Sequence, residues 1–338
     1  MASTGSPFGR LIQNPVGNVK NTMYAGQGGN GGNVDDYRTV HKGETAGPET
    51  RTVYVNIDSR FKNNPRDSDT KFTVNLIDPL RNVTKVRVAS VEFPNVPYVI
   101  SEYTGTNSVG FTLSDSSSFV VTVPDGNYDL SDLLDTVNSG LIAGVSGVEF
   151  LYDEAIRRVR LGISNDDLSA FNTAPTGRFA DRDADWGLGY ILGFRERFYT
   201  ITGQDISNDL VAEAPPCITG PTYYLLQVNG FDTVQSPAQN HTVAAAAKLL
   251  TGGQGEFGHV PGGSAVTVFQ DGRNLLSFLH EEQTPVDFAR VEIRVVDAYG
   301  EEIQPFYKPM SLTLEITNIM QSQLYEQQRN RMFQMSQS

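Results

Sequence analysis

Eleven short runs of alternating apolar and polar residues dominate the chain from residue 51 onward, with few helix-length stretches between them. Residues 52–58 are β-branched and alternate. Residues 71–77 place Phe72, Val74 and Leu76 on one face, and 84–93 set Lys85, Arg87 and Ser90 among valines. Further runs lie at 109–113, 119–123, 148–152, 158–163, 223–228, 265–269, 289–296 and 312–316. A period of two punctuated by Gly, Pro, Asn and Asp marks half-buried strands. Many of the connections are too short for right-handed βαβ crossovers, so the pattern predicts mainly antiparallel sheets in an all-β sandwich or barrel.

Helical signals are few. Residues 129–141 offer a cap at Asp129 and apolar Leu133, Leu134, Val137 and Leu141 at helical spacing. A short helix is expected at 188–192. The alanine-rich stretch 242–250, followed by Gly252 and Gly253, has helical propensity. Residues 319–335 contain no Gly or Pro and predict a helix, too rich in Gln for a core and suited to a surface or interface.

Residues 1–50 stand apart, with 10 of the chain's 32 glycines and four charges of each sign. Such a composition buries no core of its own and predicts a flexible or extended arm. Phe8, Leu11, Ile12, Tyr24 and Tyr37 are its candidate anchors, because they carry most of the apolar area it can bury on a partner. The chain therefore divides into an arm (1–50), a β domain with inserted loops (51–318) and a Gln-rich helical tail (319–338). Leu324, Tyr325 and Phe333 are the tail's candidate contacts.

The 338 residues carry a net charge of −13, which argues against direct nucleic-acid binding, since phosphate neutralisation requires a basic surface. Residues 51–100 have a local excess of three basic groups, read as ordinary polar strand faces. No apolar run approaches membrane-spanning length and no basic–apolar leader opens the sequence, so membrane insertion and a secretory signal are not expected. The one cysteine, Cys217, forms no intrachain disulfide and is expected to be a small buried residue.

The search for chemistry leaves little. Gly26–Gly31 and Gly253–Gly258 match the spacing of a dinucleotide fingerprint, but neither lies in a strand–turn–helix unit. Asp181, Asp183 and Asp185 resemble the start of a calcium loop and are weak metal candidates. Trp186 stands where that loop needs glycine, and Leu192 where it needs a bidentate Glu. His280, Glu281 and Glu282 are adjacent in sequence and so point to different sides of the backbone. No catalytic residue or cofactor is assigned, and an enzyme is not expected.

Three groups of segments carry a resemblance. The first is Val53-Tyr-Val-Asn-Ile-Asp-Ser-Arg60 with 72–80 and 83–95. The second is Val123-Pro-Asp-Gly-Asn-Tyr-Asp-Leu-Ser-Asp-Leu-Leu134 with 159–163 and Leu188-Gly-Tyr-Ile-Leu-Gly-Phe194. The third is 288–296 with Asp297-Ala-Tyr-Gly-Glu-Glu-Ile303 and Ser311-Leu-Thr-Leu-Glu-Ile316. In this order, over residues 52–318, the chain resembles the minor capsid proteins of large icosahedral double-stranded DNA viruses of the chlorella-virus type. The resemblance implies an antiparallel jelly-roll sandwich with a few short inserted helices, flanked here by the Gly-rich arm and the C-terminal helix, which match no motif of that family. It implies a virion structural protein, made in the host cytoplasm, that joins or underpins capsomers. Its partners would be the major capsid protein, other minor capsid proteins and further copies of itself. A penton at the five-fold vertices is the alternative. A vertex spike or glycan-binding receptor module, with Trp186 beside Asp183 and Asp185 as its platform, is a reading of another class.

Overall fold

The computed structural model describes residues 49–94, 98–164, 167–202, 205, 209–239, 241–251, 266–305 and 308–320. The arm anchors and the tail contacts Leu324, Tyr325 and Phe333 lie outside these residues, as do both dinucleotide-like strings.

In chain order the elements are β1 (Thr50–Asp58), β2 (Lys71–Pro94), β3 (Ser108–Leu113), β4 (Ser118–Thr122), α1 (Leu130–Gly144), β5 (Val148–Asp153), β6 (Arg158–Ile163), β7 (Leu168–Asn172), α2 (Leu188–Leu192), β8 (Phe198–Thr200) and β9 (Leu210–Val211). They continue with β10 (Tyr223–Val228), β11 (Val234–Pro237), β12 (Thr242–Ala245), β13 (Ala247–Leu250), β14 (Val266–Gln270), β15 (Leu275–Ser277), β16 (His280–Val296) and β17 (Ser311–Ile319). The fold is all-β and antiparallel, with a curled, sandwich-like main sheet of jelly-roll type and few helices, as the alternation predicts.

The main sheet runs β1-β17-β2-β16-β10-β13-β15, and β14 also pairs with β2. Its curl follows from its two longest strands. The β2–β16 ladder shifts register between Phe288 and Arg290, opposite Leu80 and Asn75, and again between Glu281 and Val286, opposite Lys85 and Val83. Such bulges bend a strand and increase its twist. The inward residues, among them Ile57, Phe72, Phe93, Phe269, Ile293 and Leu314, form one core. On the opposite face, Val243 and Ala245 of β12 bury Leu225 of β10 and Val296 of β16.

Residues between β2 and β10 build a second core beneath the sheets β4-β3-β7-β8 and β5-β6-β9. Leu133, Leu134, Val137 and Leu141, the apolar stripe expected of α1, are buried in it. Phe171 sits at its centre, with ring centroids of Phe111, Phe150, Phe194 and Tyr199 all 5.1–5.9 Å away. The segment expected as inserted loops thus has its own hydrophobic interior.

The three sequence signatures have mechanical roles. Asp58 caps a single 3-10 turn, accepting from the Arg60 N–H at 2.9 Å and pairing with its guanidinium at 2.5 Å. Buried Ser59 ties β1 to Met310 through its N–H at 2.9 Å and its hydroxyl at 3.0 Å. In Pro124-Asp-Gly-Asn-Tyr128, three side chains or backbones hold the segment that leads into the second core. Asp125 accepts from Glu102 N–H at 2.7 Å, Asn127 from Val99 N–H at 2.8 Å, and Gly126 bridges Ile100 in both directions. In Leu188–Phe194, Gly189 abuts Thr173, where a Cβ would lie 2.2 Å from the threonine's own. Gly193 closes α2 in the left-handed region (φ 104), packed on the Ala214 carbonyl.

Two helix expectations are corrected. Residues 242–250 are β12 and β13, not a helix: Val243, Ala245, Ala247 and Leu249 are buried in alternation and pair with β11, β10 and β15. Alanine's helix preference is a few tenths of a kcal/mol per residue, which strand pairing and the burial of alternate side chains outweigh. Ile319, expected to begin the tail helix, instead ends β17 opposite Thr50. Strands at 168–172, 198–200 and 210–211 are short and lack a distinctive alternation, so they were not expected.

Candidate assembly edge and inter-core cleft

Strand β1 is the first of two candidate sites. It pairs with β17 without a register shift over all nine residues, and among the described residues its other edge bears no strand. Glu49 C=O accepts from Met320 N–H at 2.9 Å, and Ser59 N–H donates to Met310 C=O at 2.9 Å. Antiparallel ladders alternate, so the odd residues of β1 bond to β17. The N–H and C=O groups of Thr50, Thr52, Tyr54 and Asn56 therefore point to the open edge. Their side chains lie on the solvent face, where Tyr54 is 65% exposed, while Ile57 faces the core. The register Thr50↔Ile319 also brings Glu49 and Met320 together. The segment preceding residue 49 and the segment following residue 320 depart from one corner of the sheet, beside this edge.

The second site is a cleft of about 280 Å³ between the two cores, lined by Tyr98, Thr104, Tyr190, Tyr224 and the 297–304 loop. One wall is an arginine clamp. Arg182 pairs with Asp297 at 2.6 Å, both side chains nearly buried, and its guanidinium lies 3.5 Å from the Phe179 centroid and 4.1 Å from that of Tyr299. Arg178 pairs with Glu301 at 2.7 Å and donates to the Tyr103 hydroxyl at 2.6 Å, which itself donates to Glu302 C=O at 3.1 Å. Asp297 also accepts from the N–H groups of Tyr299 and Glu301, holding the loop in shape. The charges of this wall are engaged with one another, and their effect is to fasten the second core to the sandwich.

The sequence-derived candidates fall as follows. Asp181, Asp183 and Asp185 are not brought together, and among the described residues no three His, Cys, Asp or Glu side chains are placed to hold a metal ion. Asp185 lies at the cleft in a left-handed conformation (φ 56). Crowding by protein pushes its carboxyl above the usual carboxylate range, against the pull of Arg182 and Arg195. Trp186 is no platform: it is 5% exposed, donates to the Thr173 hydroxyl at 3.1 Å and packs edge-on against Tyr190. Cys217, expected to be buried, is exposed at the cleft, with its backbone N–H held by Ile191 C=O. Glu281 pairs with Lys85 at 2.5 Å, and the ring of His280 packs on Phe231. Of the eight basic residues in 51–100, Arg60, Lys62, Lys85 and Arg87 are ion-paired within the chain. Arg178 and Arg182, which by sequence offset the charge of the neighbouring aspartates, instead find partners more than a hundred residues away, beyond any spacing rule.

No family model matches the chain, and no curated protein matches it. Among solved structures, the fold is similar to that of the mavirus penton protein in selenomethionine-labelled crystals. The TM-score is 0.36 and the identity 13%, covering 79% of this chain and 99% of that one. A likeness at this level fixes neither family nor function.

Proposed function

We propose that this chain is a structural virion protein, a minor capsid protein that joins or underpins capsomers through sandwich faces and its N-terminal arm. The observation that carries the reading is the corner of the main sheet where a nine-residue open edge adjoins the departure points of both terminal segments. An antiparallel sandwich presenting such an edge can bind by backbone pairing, with no chemistry beyond area and register. The sequence resemblance over residues 52–318 points the same way. The partners on this reading are the major capsid protein, other minor capsid proteins and further copies of the chain. The glycan-binding alternative loses its platform with the burial of Trp186.

The test is deletion of residues 2–48 followed by particle purification. The expected result is a folded, soluble protein that fails to enter particles. Incorporation at wild-type levels would remove the arm from the reading, and absence of the full-length chain from particles would remove the reading itself. Quantitative mass spectrometry of copy number against the major capsid protein separates a penton, at five copies per vertex, from a protein repeated across facets.

A further inference from the structure

Natural sheets protect their edges with short strands, bulges, prolines or inward charges. Among the described residues this molecule does so at several of its sheet ends. Strands β8 and β15 have three residues each and β9 has two. The outer edge of β5 is plugged by a side chain: Asn138 donates to Phe150 C=O at 2.9 Å and accepts from Phe150 N–H at 2.7 Å, imitating a neighbouring strand. Strand β1 is neither short, bulged nor interrupted by proline. Among the described residues it is the longest strand with a single partner. It has no bulge and its sequence TRTVYVNID contains no proline; the one charge on the core-side register of the strand, Arg51, is exposed near its start. It presents four N–H and four C=O groups, at Thr50, Thr52, Tyr54 and Asn56, in a straight row.

The sequence supplies a matching strand. Before the sheet, residues 36–42 (Asp-Tyr-Arg-Thr-Val-His-Lys) contain no Gly or Pro, unlike the Gly-rich stretch before them. Arg38-Thr39-Val40 repeats Arg51-Thr52-Val53, the tripeptide that forms β1 itself. Tyr and β-branched Thr and Val are the residue types that favour a pleated, half-buried surface. Gly43 and Gly47-Pro48 separate the two copies, a hinge of the kind that permits exchange of an element between protomers.

We infer that the open edge of β1 receives residues 36–42 of a neighbouring copy as an added strand, so that each copy both donates and accepts. This rests on the assembly reading above and specifies its partner. The geometry makes the inference unusually easy to test, because alternate amides of β1 answer differently. The odd ones are already bonded to β17, whereas those of Thr52, Tyr54 and Asn56 are protected only if a strand is added.

The experiment is residue-resolved hydrogen exchange on the full-length chain at dilute and concentrated protein, with oligomeric state followed by light scattering. The expected result is that the Thr52, Tyr54 and Asn56 amides slow by at least about tenfold as oligomers form. Thr52→Pro removes an edge donor without touching the β17 ladder, a position where proline is tolerated, and should abolish both the slowing and the oligomer. Thr39→Pro combined with Val40→Pro, which leaves the sequence of every described strand unchanged, should do the same. Oligomers whose Thr52, Tyr54 and Asn56 amides exchange freely would overturn the inference, as would slowing already present in a monomer or slowing that survives the arm double variant. Particle incorporation is read separately, so failure of the strand addition and failure of the capsid reading are distinguishable.

Discussion

Replacing Arg182 with Met tests whether the clamp joins the two cores. The substitution keeps the aliphatic stem and removes the guanidinium, and with it the 2.6 Å pair to Asp297 and the contacts to the Phe179 and Tyr299 rings. The side chains are 12% and 14% exposed, so the pair is almost fully desolvated. Breaking a buried pair by removing one partner costs about 3–5 kcal/mol, because a charge is left uncompensated. Two backbone bonds to Asp297 persist, at 2.9 and 3.0 Å, which places the expected loss near the lower end, about 3 kcal/mol. At roughly 2–4 °C per kcal/mol for a large domain, Tm should fall by about 6–12 °C. The chain's one tryptophan, Trp186, lies buried against Tyr190, which lines the cleft, so its fluorescence during urea unfolding reports on this junction. A double-mutant cycle with Asp297→Asn isolates the pair and should give a coupling of about 2 kcal/mol. A stability loss under about 1 kcal/mol, or additivity within about 0.5 kcal/mol, would refute the claim that this pair fastens the cores.

Other substitutions probe the turns and the titrating groups. Gly193→Ala would place a Cβ 2.1 Å from the Ala214 carbonyl oxygen at φ 104 and should cost at least about 3 kcal/mol; an unchanged urea midpoint would contradict the geometry. Hydrogen bonding from Arg60 holds the Asp58 carboxyl below its usual range. Its contribution is therefore complete above the unfolded-state value near 4 and is lost as pH falls through the lower folded value. The stability gap between wild type and Asp58→Asn should close on acidification, and a gap independent of pH would count against it. Asp185 is shifted the other way, upward by burial, so its charged form is penalised at neutral pH. Asp185→Asn should then stabilise at pH 7, with the gain disappearing below about pH 4; destabilisation at pH 7 would show that the carboxylate is needed. Burial raises the Tyr199 phenol to about 12, with its hydroxyl between the Arg195 and Glu196 N–H groups and the Glu213 carboxylate. Alkaline absorbance titration should show one fewer late-ionising phenol in Tyr199→Phe, and an unchanged curve would place the group elsewhere.

What could be read from the sequence was whatever repeats at short range. Period-two alternation located β1, β5, β6 and β10 to within a residue or two, and helical spacing found α1 with all four of its buried residues. The signatures Asp58-Ser-Arg60, Pro124–Tyr128 and Leu188–Phe194 were legible as strings, and each proves to be a local device: a cap, a clamp on a neighbouring segment, a tight glycine stop. What stayed hidden depends on distant partners. Alanine's helix preference at 242–250 was a correct local reading overruled by three neighbouring strands that no window could include. Trp186 among aspartates read as a surface loop, yet Thr173, Tyr190 and Arg197 come from elsewhere to enclose it. The functional edge belongs to the same class. Residues 52–58 announced a strand, but nothing in them says which side lacks a partner. That follows only from the pairing with β17 and from the parity fixed by Glu49 and Ser59. An interaction surface made of backbone groups carries no side-chain motif, so its sequence signal is the absence of protection: nine residues without proline or bulge. Absence becomes informative only beside the contrast that the fold supplies, where Asn138 stops the β5 edge and nothing among the described residues stops β1.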